Sequence, residues 1–339
     1  MTVLSSTSNS NTRNWGTSWV LALIIVILLL GTLEYFWRSN GHQPAIVDDQ
    51  RLWAMERNKV GKSPKEIALL GSSRMQSDIS TATLHRLAPE YNIINLSADS
   101  TCANAALRDL AGDGKFKGTV IVETTSECLM FGDERGLNQQ FYVDYYHKTY
   151  NLNVKLNRQI ATFVQKHLTV VDPYLNLIKV AGDLVFKKTW RATNPLTTYE
   201  DRSRAVDYNK LDITQHKATR LRKVDTHYRQ LAPDISIQSL IRHVSDLENS
   251  VKKIQGRGGK VVFIRFPVSD EHWDIDEQYF PRATYWDTII PKTSASVMHF
   301  KDIEGMNTLK CPDTSHVDVR DTEAFTKQLF NVLHKEKII

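Results

Sequence analysis

A serine and a histidine at opposite ends of this chain have the types and settings of a nucleophile and its base. Gly71-Ser72-Ser73-Arg74 directly follows the apolar run Ile67-Ala-Leu-Leu70, and Asp313-Thr-Ser-His316 lies just before the last apolar-patterned segment. A serine hydroxyl attacks an ester only when a base within hydrogen-bond reach takes its proton. His316 titrates near neutrality when unperturbed and suits that task. Asp313 is spaced to fix the imidazole tautomer and to stabilise the imidazolium, and the backbone N–H of Ser73 is available to a developing oxyanion. Each motif is cheap alone. A Gly-Ser-Ser turn after a strand is often structural, and Asp-x-x-His arises by chance in a chain of this length. Their order and settings, taken together, point to acyl-ester chemistry through an acyl-serine.

The elements that must position these residues read as alternating strand and helix. Strands are expected at Glu66–Leu70, Tyr91–Leu96, Gly118–Glu123, Lys260–Phe266 and Ser296–Phe300, with helices at Ile79–Leu87, Ala103–Leu110, Asp234–Gln255 and Asp321–His334. Short apolar runs ended by Gly or Pro, alternating with amphipathic stretches, predict an α/β fold with a three-layer, flavodoxin-like parallel sheet in the order 2-1-3-4-5. Ligands of such sheets bind at the carboxyl ends of the strands. Ser73 and the segments after Leu96, Glu123 and Phe266 would meet there. Between the third and fourth strands, residues 131–233 form a helical, aromatic insertion of the kind that makes a lid or a substrate-binding element. Its Phe141, Tyr142, Tyr145, Tyr146 and Tyr150 read as packing side chains rather than sugar platforms. Its basic run Lys217, Arg220, Arg222, Lys223 and Arg229 reads as a solvated helix face.

Composition bounds the rest. Hydrophobic content of 41% against 24% charged fits a globular protein. A net charge of +5 does not argue for nucleic acid. Cys102, Cys128 and Cys311 have no metal-ligand spacing, and their odd number argues against a disulfide framework. His85, His272 and the other histidines show no metal spacing and read as surface residues. Gly16–Leu33 is uncharged and flanked by Trp15, Trp19, Tyr35, Phe36 and Trp37. About 20 apolar residues span a bilayer, and aromatics favour its interfaces. The run lacks a small-x-small cleavage site, so it predicts an uncleaved signal anchor at 15–37. Arg13 before it points to a cytoplasmic N-terminus with the rest of the chain outside the membrane. The expected layout is a disordered tail at 1–14, the anchor, a juxtamembrane stalk at 38–64 with some helix around Asp49–Arg57, and one domain at 65–335.

With these motifs the chain resembles the SGNH (GDSL-like) hydrolase superfamily over 66–130 and 234–335. Within it, the chain is most similar to the membrane-anchored SGNH proteins of bacterial cell-surface polysaccharide acylation, which often read Gly-Ser-Ser-Arg where other members read Gly-Asp-Ser. The resemblance implies Ser73, Asp313 and His316 as the catalytic triad. It places the oxyanion hole at the N–H groups of Ser73 and Ser100, the latter standing where the family has glycine. The third block usually adds an asparagine donor; here Glu123-Thr-Thr-Ser-Glu127 follows the strand, leaving Thr125 or Ser126 to substitute. Glu127 falls nearest the asparagine position and is a candidate for substrate contact; Arg74 is read either as a substrate contact that orients a carboxylate or as a cap of the turn. The implied activity is that of an extracytoplasmic serine esterase or O-acyltransferase. Its expected partners are the membrane, an acylated polysaccharide and a membrane-bound acyltransferase, with no cofactor, metal or nucleic acid. The altered oxyanion blocks suit a competing reading, a non-catalytic glycan-binding or scaffold module. A flavodoxin-like domain with accidental motifs is a third.

Overall fold

Five apolar runs form the central sheet of this protein: β1 (Glu66–Leu70), β2 (Asn92–Asn95), β3 (Thr119–Glu123), β6 (Lys260–Arg265) and β7 (Ser296–His299). A small antiparallel hairpin, β4 (Leu196–Thr198) and β5 (Arg204–Val206), lies in the insertion and was not expected from sequence. The computed structural model describes residues 15–132, 138–269 and 271–339. These divide into two units. The larger comprises Ala45–His167 and Asn194–Ile339; the smaller comprises the residues up to Pro44 together with Leu168–Thr193.

In the larger unit all five sheet strands are parallel and ordered β2-β1-β3-β6-β7, which is the expected 2-1-3-4-5 arrangement. Because side chains alternate across a strand, each run feeds two cores. Ala68, Leu70, Val120, Val122, Val261 and Phe263 face one side with Leu107, Leu110, Leu240, Val244 and Leu247. Ile67, Leu69, Ile121, Val262 and Ile264 face the other with Met75, Leu84, Phe325, Leu329 and Leu333. The helices Asn104–Gly112 and Ile237–Gln255 thus cover one face, and Thr81–Leu87 and Thr322–Lys335 the other. This makes a three-layer α/β fold, with both faces buried as a parallel sheet requires.

The expected helix Ile79–Leu87 is present as Thr81–Leu87, capped by Ser80, and a short helix that was not expected, Ser73–Asp78, precedes it. Three expectations need correction. The stretch expected as a stalk enters the larger unit from Ala45 onward. Its helix Gln50–Arg57 buries Leu52 and Trp53 completely, and Trp53 Nε1 donates to the Leu96 carbonyl at the end of β2. Cys102 and Cys128 are disulfide-bonded, leaving Cys311 as the buried free thiol, so the odd count misled. His272 and His299 are buried rather than on the surface.

The smaller unit contains the helix Trp15–Ser39, whose most apolar stretch has none of its residues buried within the protein. Near its end the Glu34 carboxylate accepts the N–H groups of Thr169 and Val170, each at 2.9 Å. Phe36 and Trp37 pack near Trp190, with ring centroids 5.2 and 6.4 Å away.

Candidate active site

The turn after β1 is shaped by what surrounds it. A Cβ on Gly71 would stand 2.8 Å from Glu123 Oε2 and 2.9 Å from Met75 Cβ, so this close approach admits only glycine. Glu123, buried at the end of β3, then takes both the N–H and the hydroxyl of Ser72, at 2.9 and 2.8 Å. The Ser72 hydroxyl in turn accepts the Arg74 N–H and caps the helix Ser73–Asp78. Ser73 is therefore the first residue of a helix on a turn pinned from the neighbouring strand.

The second half of the site is built as tightly. Asp313 Oδ1 accepts the N–H groups of Ser315 and His316 at 2.9 and 2.7 Å. Its Oδ2 lies 2.9 Å from His316 Nδ1, and His316 Nε2 lies 2.9 Å from Ser73 Oγ. Thr314, a β-branched residue, holds a left-handed backbone with φ 73°, a strained state that recurs where side chains must be aimed. Two ties join this loop to the serine helix. Arg74 Nε donates to the carbonyl and hydroxyl of Ser315, and the Val317 N–H donates to Asp78 Oδ1 at 3.0 Å. Arg74 also faces Glu123 at 3.7 Å, so its guanidinium serves the frame of the site; as a candidate for substrate contact it is already engaged.

The electrostatics set the protonation states. Burial pushes the Asp313 carboxyl up, but its bond to His316, the imidazole charge and the Arg220 guanidinium outweigh this and hold it far below the usual range. Burial holds the His316 imidazole below its ordinary value, aided by Arg220 and Arg74 and opposed by Asp313. The ring is thus neutral at neutral pH. With Asp313 ionised, Nδ1 carries the proton and Nε2 is free to accept the Ser73 hydroxyl. Burial also presses the Tyr208 phenol upward, as does its hydrogen bond to Asp313. A third carboxyl behaves differently. Asp78 is fully buried, its Oδ2 has no hydrogen-bond partner, and burial raises its pKa well above the usual value despite the Val317 N–H. The folded protein therefore favours its protonated form.

That state has a measurable consequence. The unfolded chain releases the Asp78 proton above about pH 4, whereas the folded chain holds it to higher pH. A raised folded-state pKa gives stability that is complete below the unfolded pKa and is lost as pH rises through the folded one. Between the two, the loss is about 1.4 kcal/mol per pH unit. Asp78→Asn, neutral throughout, is expected to gain on the wild type in denaturation midpoint at pH 8 relative to pH 4.5. Parallel pH dependences of the two proteins would contradict a protonated Asp78.

Arg220 is the residue that the sequence reading placed wrongly. It belongs to the helix Ile213–Leu231 of the insertion, and its Nε stands 2.9 Å from Asp313 Oδ2 as an ion pair. From the same helix, His216 Nε2 lies 3.9 Å from that oxygen. Arg220 therefore belongs to the site and not to a solvated face. Its neighbour Lys217 pairs with Glu271, and Arg229 pairs with Asp225. The only sequence signal was a one-turn spacing, Arg220 following His216 by four residues, and nothing local says what they face.

The oxyanion candidates fall as follows. The Ser73 and Ser100 N–H groups carry no hydrogen bond to another described residue. Ser100 adopts φ 56°, the left-handed backbone that a glycine takes without strain. The Thr125 hydroxyl accepts the Cys128 N–H at 3.0 Å and caps the helix Ser126–Phe131. Glu127 Oε1 is 2.6 Å from His227 Nε2. The disulfide joins the Ser100 loop to the helix that Thr125 caps. Thr125, Ser126 and Glu127 also line a cleft over the ends of β3, β6 and β7. Tyr228, Trp273, Phe280 and Trp286 complete it, with the buried ion pair Arg265–Asp276 and His299. Among the aromatics of the insertion, Tyr142 packs 5.7 Å from Trp53 and Tyr146 lies beneath Arg57, whereas Phe141 is exposed.

No family model matches the chain, and no curated protein does. One solved structure, described as the crystal structure of TesA, aligns over 79% of this chain and 97% of that one, at 10% identity and a TM-score of 0.36. So distant a likeness adds nothing to the geometry; any function must be read from the residues themselves.

Proposed function

We propose that this protein is a membrane-anchored, extracytoplasmic serine esterase or O-acyltransferase that acts on acyl esters of a cell-surface polysaccharide. The observation that carries the reading is the unbroken chain from Ser73 Oγ to His316 Nε2 and from His316 Nδ1 to Asp313 Oδ2, each link 2.9 Å. As Oγ attacks the ester carbonyl, His316 takes the serine proton, and Asp313 stabilises the imidazolium. The N–H groups of Ser73 and Ser100, which have no partner among the described residues, are the donors available for the oxyanion. His316 then returns the proton to the departing alkoxide, leaving an acyl-serine. In the second half a water or a sugar hydroxyl gives its proton to His316 and attacks the acyl carbonyl, which releases Ser73. For transfer, a membrane-bound acyltransferase partner would supply the acyl group.

Three further features support the setting. A 25-residue apolar helix is long enough to span a bilayer. The Cys102–Cys128 bond suits an oxidising compartment outside the cytosol. The cleft beside Thr125 combines aromatic faces with paired ions, a lining suited to sugar rings and hydroxyls. The competing reading, a glycan-binding module without catalysis, is favoured by one observation: the third block offers a carboxylate, Glu127, where a donor is expected. A fluorophosphonate should label the full-length protein, and the modified peptide should contain Ser73. Absence of labelling across neutral and alkaline pH would favour the binding module.

Arg220 gives this reading a pH signature. The charges facing His316 are Asp313 on its own loop, Arg220 from the insertion helix and Arg74 from the serine helix. Removing the Arg220 charge raises the His316 pKa, so the acid limb of the labelling rate is expected to move to higher pH in Arg220→Gln. Arg220→Lys should keep the limb near its wild-type position. An unchanged limb in Arg220→Gln would show that the guanidinium has no hold on the base.

A further inference from the structure

The segment Leu168–Thr193 departs from a soluble surface. Its two short consecutive helical turns, Leu177–Gly182 and Asp183–Lys187, leave Leu177, Ile178, Val185 and Phe186 exposed at 74%, 83%, 68% and 86%. Trp190 follows at 57%. Beneath them Leu175 and Val180 turn inward against Trp37, with Val170 and Tyr174 partly buried beside them. So much apolar surface on so small an element marks an interaction face.

The smaller unit itself indicates what covers that face. Gly16–Leu33 carries no charge, and at 1.5 Å per residue it spans about 27 Å, close to a bilayer's hydrocarbon thickness. Glu34 is the first charged residue beyond it and marks the level where the hydrocarbon ends. Its carboxylate holds the Thr169 and Val170 N–H groups at 2.9 Å, which sets the start of the segment at that same level. Aromatic rings gather there: Phe36, Trp37, Tyr174 and Trp190, with Arg191 stacked 4.1 Å over Tyr174. Such belts occupy the interface of a membrane. Lys179, Lys187 and Lys188 are exposed among the apolar residues, in the pattern of an element lying on an anionic surface.

We propose that Leu168–Thr193 is a second, monotopic membrane element that lies in the interfacial layer of the bilayer beside the base of the helix Trp15–Ser39. The proposal rests on the reading of that helix as a membrane anchor. Part of the insertion is then a lipid-binding device that returns the chain to the membrane between the two sequence stretches of the larger unit.

The test uses full-length protein reconstituted in vesicles of phosphatidylcholine and phosphatidylglycerol. Native cysteines do not interfere, since Cys102 and Cys128 are bonded and Cys311 is buried. Single cysteines at Phe186→Cys and Val26→Cys carry an NBD fluorophore, and doxyl-labelled phospholipids quench it at shallow or deep positions. The expected result is several-fold quenching at 186 by shallow doxyl, stronger than by deep doxyl. Position 26 should be quenched most by deep doxyl. Quenching at 26 with a water-exposed, unquenched probe at 186 would overturn the interfacial element and leave the anchor standing. A blue-shifted probe at 186 that no doxyl lipid quenches would mean that a protein, or a second copy, covers the face, and would overturn it as well. Quenching at 186 without any at 26 would uphold the surface contact and remove the anchor.

Discussion

Ser73→Ala is expected to abolish fluorophosphonate labelling and to lower turnover of a soluble acyl ester by about a thousandfold or more. Removing the nucleophile of a complete serine triad costs roughly a millionfold in kcat. This site starts lower, because a missing oxyanion donor typically costs about a hundred- to a thousandfold, so the window between wild type and variant narrows by that amount. The substitution deletes one hydroxyl and one hydrogen bond, to His316 Nε2. Loss of such a bond costs about 1 kcal/mol, too little to unfold a domain. The thermal midpoint should therefore stay within a few degrees of wild type, which separates lost chemistry from lost fold. Residual turnover within tenfold of wild type would mean that esters are cleaved elsewhere, and Ser73 would not be the nucleophile.

Much of the scaffold was legible because it depends on local pattern. Runs such as Thr119-Val-Ile-Val-Glu123 and Lys260-Val-Val-Phe-Ile-Arg265 are apolar on both faces, which only a doubly covered parallel sheet satisfies. The serine turn and the Asp-x-x-His loop were readable because each carries its own spacing, and a parallel sheet in the order found gathers strand ends at one edge. The misses depend on long-range contacts. Arg220 looked like one cation among five on a helix, and only the tertiary fold brings it to Asp313. Trp53 comes just after an apparently polar stretch, Asp48-Asp-Gln-Arg51, yet the end of β2 offers its indole a carbonyl and a buried slot. Cys102 and Cys128 are separated by 26 residues with a helix and a strand between them; their Cα atoms come within 5.3 Å only once β3 is paired beside β1. An odd number of cysteines cannot report that. The hairpin β4–β5 escaped because three-residue strands fall below any periodicity.

Asp313→Asn is expected to slow labelling by about ten-thousandfold at pH 8, and the reason is orientation more than charge. In the native site Asp313 Oδ1 takes two backbone N–H groups, a role an asparagine oxygen can keep. That choice aims the new Nδ2 amide at His316 Nδ1, where a donor replaces an acceptor. The imidazole must then accept at Nδ1 and carry its proton on Nε2, so it can no longer take the serine proton. Arg220 worsens the position. Its guanidinium stays 2.9 Å from where the carboxylate oxygen was, now without a counter-charge, and it holds the imidazole in its neutral, wrongly protonated form. The double variant Asp313→Asn/Arg220→Gln removes that cation and should recover part of the lost rate, a non-additive result that independent sites do not give. Labelling rates of wild type, both single variants and the double variant at one pH complete the cycle. A single variant Asp313→Asn within tenfold of wild type would show that His316 does not depend on this carboxylate. Strict additivity in the cycle would show that Arg220 acts on the insertion alone and not through the base.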